Sequence, residues 1–234
     1  KSQGTVQFKS GLTIKDSEEM DLFGYMKTSK KTDDENGGSS IRSAAVRLSN
    51  AISLEDYKSD MEFLTNKGLA DRIKEFPNIA NVEQHLSFYT YTITIDLEKV
   101  GEDGNIKLSS DEKVKRVNEL LEIVKILNRE IRGREENLSP LFVIGGIYEI
   151  NSPFFLGRIK LDAKEGKYEI NTEILKDTAT LKLGDKEILK DTYVGIVKNE
   201  FANEKEVQAI FEDKTLNIQE FFENLENEVK EYYK

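Results

Sequence analysis

The chain has no cysteine and no tryptophan, and only one histidine and three prolines among 234 residues. Without cysteine there is neither a disulfide framework nor a thiolate metal site, which fits a reducing compartment. The lone histidine, His85, has no fixed serine or cysteine partner and reads as structural rather than catalytic. No run approaches the roughly 20 apolar residues of a membrane span, and no signal peptide opens the chain. The expected setting is the cytoplasm, with no membrane partner. Lys1 rather than Met stands first, which fits an upstream piece having been removed. Apolar residues are scarce as well, 38% against 33% charged, so the core should be thin, with exposed hairpins or partner-covered surface.

The net charge of −10 argues against a free monomer that clings to nucleic acid, because a negative field slows a polyanion. The charge is uneven, however. From Ala202 to Lys234 nine acids face four lysines, a local −5, whereas Lys107 to Arg134 holds eight bases against five acids, a local +3. Lys27, Lys30 and Lys31 follow Phe23-Gly24-Tyr25-Met26 with no acid before Asp33.

What is present is organised around Ser39 to Leu54, read as one long strand. Alternation puts Arg42, Ala44, Val46, Leu48 and Asn50 on one face. Ser43, Ala45, Arg47, Ser49 and Ala51 then form a shallow surface of small residues around one guanidinium. Such a surface admits a backbone-rich polymer, though an ordinary half-buried strand looks the same. Thr5 to Ile14 and Glu19 to Thr28 read as short strands, and Ser29 to Ser39 as a mobile polar loop. Residues 55–76 suit one or two short helices. His85 to Leu97 is the clearest strand, with Tyr89, Tyr91, Ile93, Ile95 and Leu97 on one face and Phe88, Thr90, Thr92 and Thr94 on the other.

A turn at Gly101–Gly104 leads to a capping box, Ser109 with Glu112. The helix behind it is expected to run to about Arg132, with Gly133 as its stop. After Pro140, residues Leu141 to Tyr148 read as a buried strand interrupted by Gly145-Gly146. The region 152–201 reads as short strands and turns, too meagre for a core of its own. Two helices close the chain, the last with Ile218, Phe221, Phe222, Leu225, Val229 and Tyr232 on one stripe, expected to pack on the palm. The fold class is α+β: an RRM-like, ferredoxin-like palm without its first strand and helix, bearing a polar loop and projecting β-hairpins. The divisions are 1–40 insertion, 41–150 palm, 151–201 hairpin module and 202–234 C-terminal helices.

No catalytic constellation emerges. Asp33-Asp34-Glu35 has the composition of a metal cluster, but in a polar loop it reads as solvated charge. Gly145-Gly146 lacks the spacing and the Lys-Ser/Thr of a phosphate loop, so a bulge or close backbone packing is the plain reading. No metal and no cofactor is expected. The best chemistry is a binding surface made of Arg42, Arg47, the Lys27/Lys30/Lys31 cluster, the Phe88–threonine face, and Arg158 with Lys160. It combines cations for phosphates with a ring for a base.

Four segments carry a resemblance: Asp21-Leu22-Phe23-Gly24-Tyr25-Met26, Arg42 to Leu54 (RSAAVRLSNAISL), Phe63 to Arg72 (FLTNKGLADR) and Glu136 to Tyr148 (ENLSPLFVIGGIY). Together they resemble the backbone subunit of type I-B CRISPR surveillance complexes (Cascade), a RAMP-superfamily protein sometimes labelled an autoregulator. The likeness spans roughly residues 15–160. It implies a hand-shaped protein of palm, finger and thumb whose copies stack along guide RNA (crRNA). The guide's bases then pair with target DNA in antiviral defence. The implied partners are crRNA, target DNA through the guide, other copies of the chain and other Cascade subunits. By position, Phe23 to Met26 and the Lys-rich loop become finger, and Arg42 to Leu54, with Ser43, Arg47 and Asn50, a palm strand beside the guide. Gly145-Gly146 becomes a point of close approach to RNA. The hairpins from Phe154 to Phe201 are one candidate thumb. The family's first palm strand and Arg-bearing first helix have no counterpart here, which implies truncation, processing or a strand supplied differently. A non-enzymatic RNA scaffold is expected. A RAMP-type ribonuclease with Asp33 or Asp34 beside the guide, and a protein-interaction or regulatory module, are the rivals.

Overall fold

The computed structural model describes residues 11–28, 39–58, 60–74, 76 and 78–234. The chain divides into two compact units. One contains the residues up to Ser49 together with Thr92–Lys234; the other is Asn50–Tyr91.

The first unit begins with helix α1 (Glu18–Phe23), where the residue pattern predicts a strand over 19–28. The Ser17 hydroxyl accepts from the Met20 N–H at 3.2 Å, and Gly24, at φ 74°, ends the helix. A four-residue apolar cluster does not distinguish helix from strand; the cap and the stop do. Strand β1 (Tyr25–Thr28) pairs antiparallel with β2 (Ser39–Arg42), Tyr25 opposite Arg42. Residues 29–38, the expected loop with Lys30 and Lys31, lie outside the described residues, as does most of the expected Thr5–Ile14 strand.

The single strand expected over 39–54 is three pieces: β2, β3 (Val46–Leu48) and β4 (Ile52–Ser53). Alternation fails between them, because Ala45 and Val46 are both buried although adjacent. Gly24 lies where a Cβ would collide with the Arg42 carbonyl oxygen and the Ala44 nitrogen. That close approach, with the buried Arg42 side chain, bends the chain at 43–45.

The 50–91 unit holds β4, the hairpin of β5 (Asp60–Thr65) and β6 (Ile79–Gln84), and β7 (Tyr89–Thr90). Between β5 and β6 lies helix α2 (Lys67–Ile73). Residues 60–65 are therefore strand rather than the expected helix. β4 pairs with β7, and all six β5 residues pair with β6. His85 is placed between two tyrosines, its Nδ1 2.8 Å from the Tyr89 hydroxyl and its ring 5.3 Å from that of Tyr57. This accounts for the lone histidine structurally.

Back in the first unit, β8 (Ile93–Ile95) pairs antiparallel with β3, so the expected 85–97 strand is also divided. The expected turn at 101–104 contains β9 (Glu102–Asp103), which Gly104-Asn105 joins to β10 (Ile106–Lys107). Helix α3 (Ser110–Lys125) starts at Ser109, whose hydroxyl accepts from the Glu112 N–H at 3.3 Å. The Glu112 carboxylate takes Arg116 Nε at 2.8 Å instead of closing a full box. The helix stops seven residues before Arg132. Strands β11 (Asn128–Ile131) and β12 (Arg134–Asn137) follow, joined by Arg132-Gly133, both at positive φ. Gly133 is a hairpin turn, not a helix stop.

A strand does follow Pro140, as expected, but β13 (Phe142–Gly145) is shorter than 141–148 and half-buried rather than buried. Hairpin β14 (Leu161–Lys164) with β15 (Lys167–Ile170) leads to helix α4 (Thr172–Ala179), where the sequence pattern predicts only strands. Asn171 caps it, Oδ1 accepting from the Ile174 N–H at 3.1 Å. A short pair, β16 (Lys182–Leu183) and β17 (Lys186–Glu187), precedes β18 (Tyr193–Ile196). Helix α5 (Glu204–Phe211), strand β19 (Thr215–Leu216) and helix α6 (Ile218–Tyr232) end the chain. The region read as coreless buries Ile170, Leu175, Ala179 and Ile188. Asn203 ties α5 to β15, accepting from the Ile170 N–H at 3.0 Å and donating to its carbonyl at 2.7 Å.

β13, β18 and β19 form one sheet, antiparallel then parallel. The α6 stripe packs on α3, β18 and β19, as its spacing predicts, except that Tyr232 is 46% exposed. Phe221, Phe222 and Val229 join Val117 and Leu121 of α3, Val46 of β3, Ala45, Leu22 and Val100 in the core. Burying each of the three α6 side chains contributes roughly 1.5–3 kcal/mol. The architecture is mixed α+β, helices over small sheets, and is compatible with an RRM-like palm. Among the described residues no helix is long and apolar enough to cross a membrane.

Candidate nucleic-acid interface

Arg42 and Arg47, five residues apart in the central stretch, have opposite environments. The Arg42 side chain is 5% exposed. One guanidinium nitrogen lies 2.7 Å from an Asp21 carboxylate oxygen and donates to the carbonyls of Lys99 (2.8 Å) and Glu102 (3.2 Å). The other donates to the Met20 and Asp21 carbonyls. Asp21 is fully buried, and its second carboxylate oxygen accepts from Arg116 at 3.0 Å and from the Gly101 N–H at 3.0 Å. Arg116 also donates to the Ile14 carbonyl at 2.8 Å. One carboxylate therefore joins α1, β2, the 99–102 turn and α3 through two guanidiniums. This arrangement commits Arg42 to the interior, so its charge is not offered to a phosphate.

Arg47 on β3 is exposed and has no side-chain ion pair or hydrogen bond with a described residue. Its register partner on β8 is Thr94. Ser43 is exposed and accepts from Lys99 Nζ at 2.7 Å. Lys99 thus joins the candidate cations, a residue that sequence reasoning missed: its link to Ser43 spans 56 positions and has no local signal. Lys27 Nζ stands 4.4 Å above the Tyr25 ring and donates to the Leu12 carbonyl. Tyr25 donates to Asp103 at 2.8 Å, and that hydrogen bond, with burial second, raises its hydroxyl pKa.

The other candidates are spread. Arg158 and Lys160 are both exposed on either side of buried Ile159. Phe88 and Asn50 belong to the 50–91 unit; Phe88 is half-buried, its N–H donating to Glu55 at 2.9 Å. Lys30 and Lys31 lie outside the described residues. The two glycines separate sharply. Nothing stands within 4 Å of a Cβ added at Gly145, whereas one at Gly146 would overlap the Asp191 carbonyl oxygen. Gly146 is therefore a close-packing glycine. Beside it, Tyr148 shares a 3.0 Å hydrogen bond with Thr192, and burial pushes its hydroxyl pKa up to about 12.

Of the candidate cations, Lys99 reaches Ser43 and Lys27 reaches the Leu12 carbonyl, while Arg47, Arg158 and Lys160 are exposed. Among the described residues no group of three or more His, Asp or Glu gathers to hold a metal ion. No curated protein matches the chain closely enough to count as a relative. Residues 5–165 match the family described as CRISPR-associated negative auto-regulator DevR/Csa2. That match covers the Asp21 ion triad, the Arg47 strand and both Gly145 and Gly146, and extends over more than half of the sequence. The chain therefore belongs to the CRISPR-associated DevR/Csa2 family.

Proposed function

We propose that this protein is a non-catalytic, guide-RNA-binding backbone subunit of a type I-B surveillance complex. Copies line up along the crRNA and present it for pairing with target DNA. The protein holds shape and backbone, while sequence specificity belongs to base pairing. The observation that carries the reading is Arg47 on β3, a guanidinium left exposed and without a described partner, whereas Arg42 at the end of β2 is buried. Membership of a CRISPR-associated family supports the same reading. The acidic net charge is compatible with it, because many weak grips on one RNA add together.

The test is incubation with labelled guide-like RNA, with and without magnesium. Salt-dependent binding without cleavage is the expected result. Cleavage abolished by Asp33→Ala would establish a ribonuclease instead. Absence of binding at low salt would favour a protein-interaction or regulatory module.

A further inference from the structure

The β11–β12 hairpin carries a charge pattern that a helical reading of the same residues hides. Its register sets Arg129 opposite Glu136 and Ile131 opposite Arg134, so these four share one face. Asn128, Glu130, Glu135 and Asn137 occupy the other, with Glu130 directly opposite Glu135. All eight strand residues are exposed, Ile131 by 42%. Arg129, Arg132 and Arg134 have no side-chain ion pair or hydrogen bond with a described residue.

Two local rules are broken here. Like charges directly opposite on a ladder repel. Arg132 also takes φ 55°, a left-handed conformation for which hairpin turns ordinarily use Asn or Asp before Gly. Both departures serve one arrangement. Acid is confined to one face, apart from Glu136 near the base, and guanidiniums occupy the other face and the tip. Local rules broken without benefit to the fold mark functional positions.

We propose that the arginine face and tip of this hairpin form a phosphate-contacting surface for single-stranded nucleic acid. The inference rests on the RNA-binding reading above and adds a contact region to it. Planar guanidiniums match phosphate geometry, and the exposed Ile131 between two of them offers an apolar spot to a sugar or base. The hairpin's charges cancel in number, Arg129, Arg132 and Arg134 against Glu130, Glu135 and Glu136, so its cationic side comes from their placement and not from net charge.

Anisotropy of a labelled single-stranded oligoribonucleotide, titrated with the full chain at several salt concentrations, tests it. Arg129→Gln with Arg134→Gln should weaken binding. With Arg132→Asn added, the triple variant should have a log–log salt slope shallower than the unaltered chain's by about 2, at ~0.7 for each of three phosphates no longer neutralised. Arg132→Asn alone should raise Tm while lowering affinity, a split that a merely structural arginine would not produce. Wild-type affinity and slope in the hairpin variants, alongside weakened binding in Arg47→Ala, would overturn this inference and leave the RNA-binding reading standing. Failure of the unaltered chain to bind at low salt would overturn both. Displacement of the RNA by polyglutamate as effectively as by unlabelled RNA would replace nucleic acid with an acidic protein segment as the partner.

Discussion

Replacing Asp21 by alanine should be among the most damaging single changes outside the apolar core. The carboxylate is fully buried and lies 2.7 Å from Arg42 and 3.0 Å from Arg116, whose side chains are 5% and 3% exposed. Its removal leaves the buried Arg42 guanidinium without a counter-charge and Arg116 with Glu112 alone. Breaking a buried pair by deleting one partner costs about 3–5 kcal/mol. The Gly101 N–H, which donates to Asp21 at 2.9 Å, is orphaned at the same time, adding about 1–2 kcal/mol. A loss of about 4–7 kcal/mol is a large share of the roughly 5–15 kcal/mol that keeps a domain folded. For a chain of this length it corresponds to a fall in Tm of about 8–28 °C. Urea titration followed by circular dichroism would measure it. The Asp21→Ala/Arg42→Ala double variant should cost less than the two single variants summed, because it also removes one stranded cation. A loss below about 1 kcal/mol for Asp21→Ala, or strict additivity in the cycle, would refute the argument that this carboxylate holds α1, β2 and α3 together.

Other outcomes follow from the same structure. Arg47→Ala should leave Tm within about 1 °C, since the side chain has no described partner. It should make the salt dependence of RNA binding shallower by about 0.7, whereas an unchanged slope would place Arg47 away from the phosphates. Gly146→Ala should cost about 1–3 kcal/mol or more, because its Cβ would meet the Asp191 carbonyl, while Gly145→Ala should be nearly silent in the same melts. Burial raises the pKa of the half-buried Glu228 carboxyl. The folded state therefore holds this proton more tightly than the unfolded chain, and stability is lost as pH rises through that window. Glu228→Gln should accordingly raise Tm at pH 7, with the advantage vanishing as pH falls toward 4; an equal gain at both pH values would contradict this.

Several elements are legible in the sequence because their causes are local. Ser109 two residues before Asp111-Glu112 marks the start of α3, and its hydroxyl caps the helix. The spacing of Phe221, Phe222, Leu225 and Val229 marks the α6 stripe, which packs inward. Arg47 is exposed as its parity in the stretch suggests, although Ala45 on the same expected face is buried. The end of α3 is less legible: Leu127 and Ile131 continue the helical period, yet they lead into a hairpin. The Arg132-Gly133 turn with positive φ at both residues allows that hairpin. Helical periodicity cannot detect such a reversal, because a short strand samples the same apolar positions.

The sequence by itself determined that this chain is an α+β, cysteine-free protein with an amphipathic last helix, a strand after Pro140 and a cationic strand in its first third. Those features follow from composition, period and caps, all read within a few residues. Only the tertiary structure decided which arginine is structural and which is available. Arg42 meets Asp21 across 21 positions, and Arg116 meets it across 95. It likewise decided that Gly146 is fixed by the Asp191 carbonyl and that Lys99 stands beside Ser43. Charge compensation and close packing depend on which distant groups the fold brings together, and no local pattern encodes that.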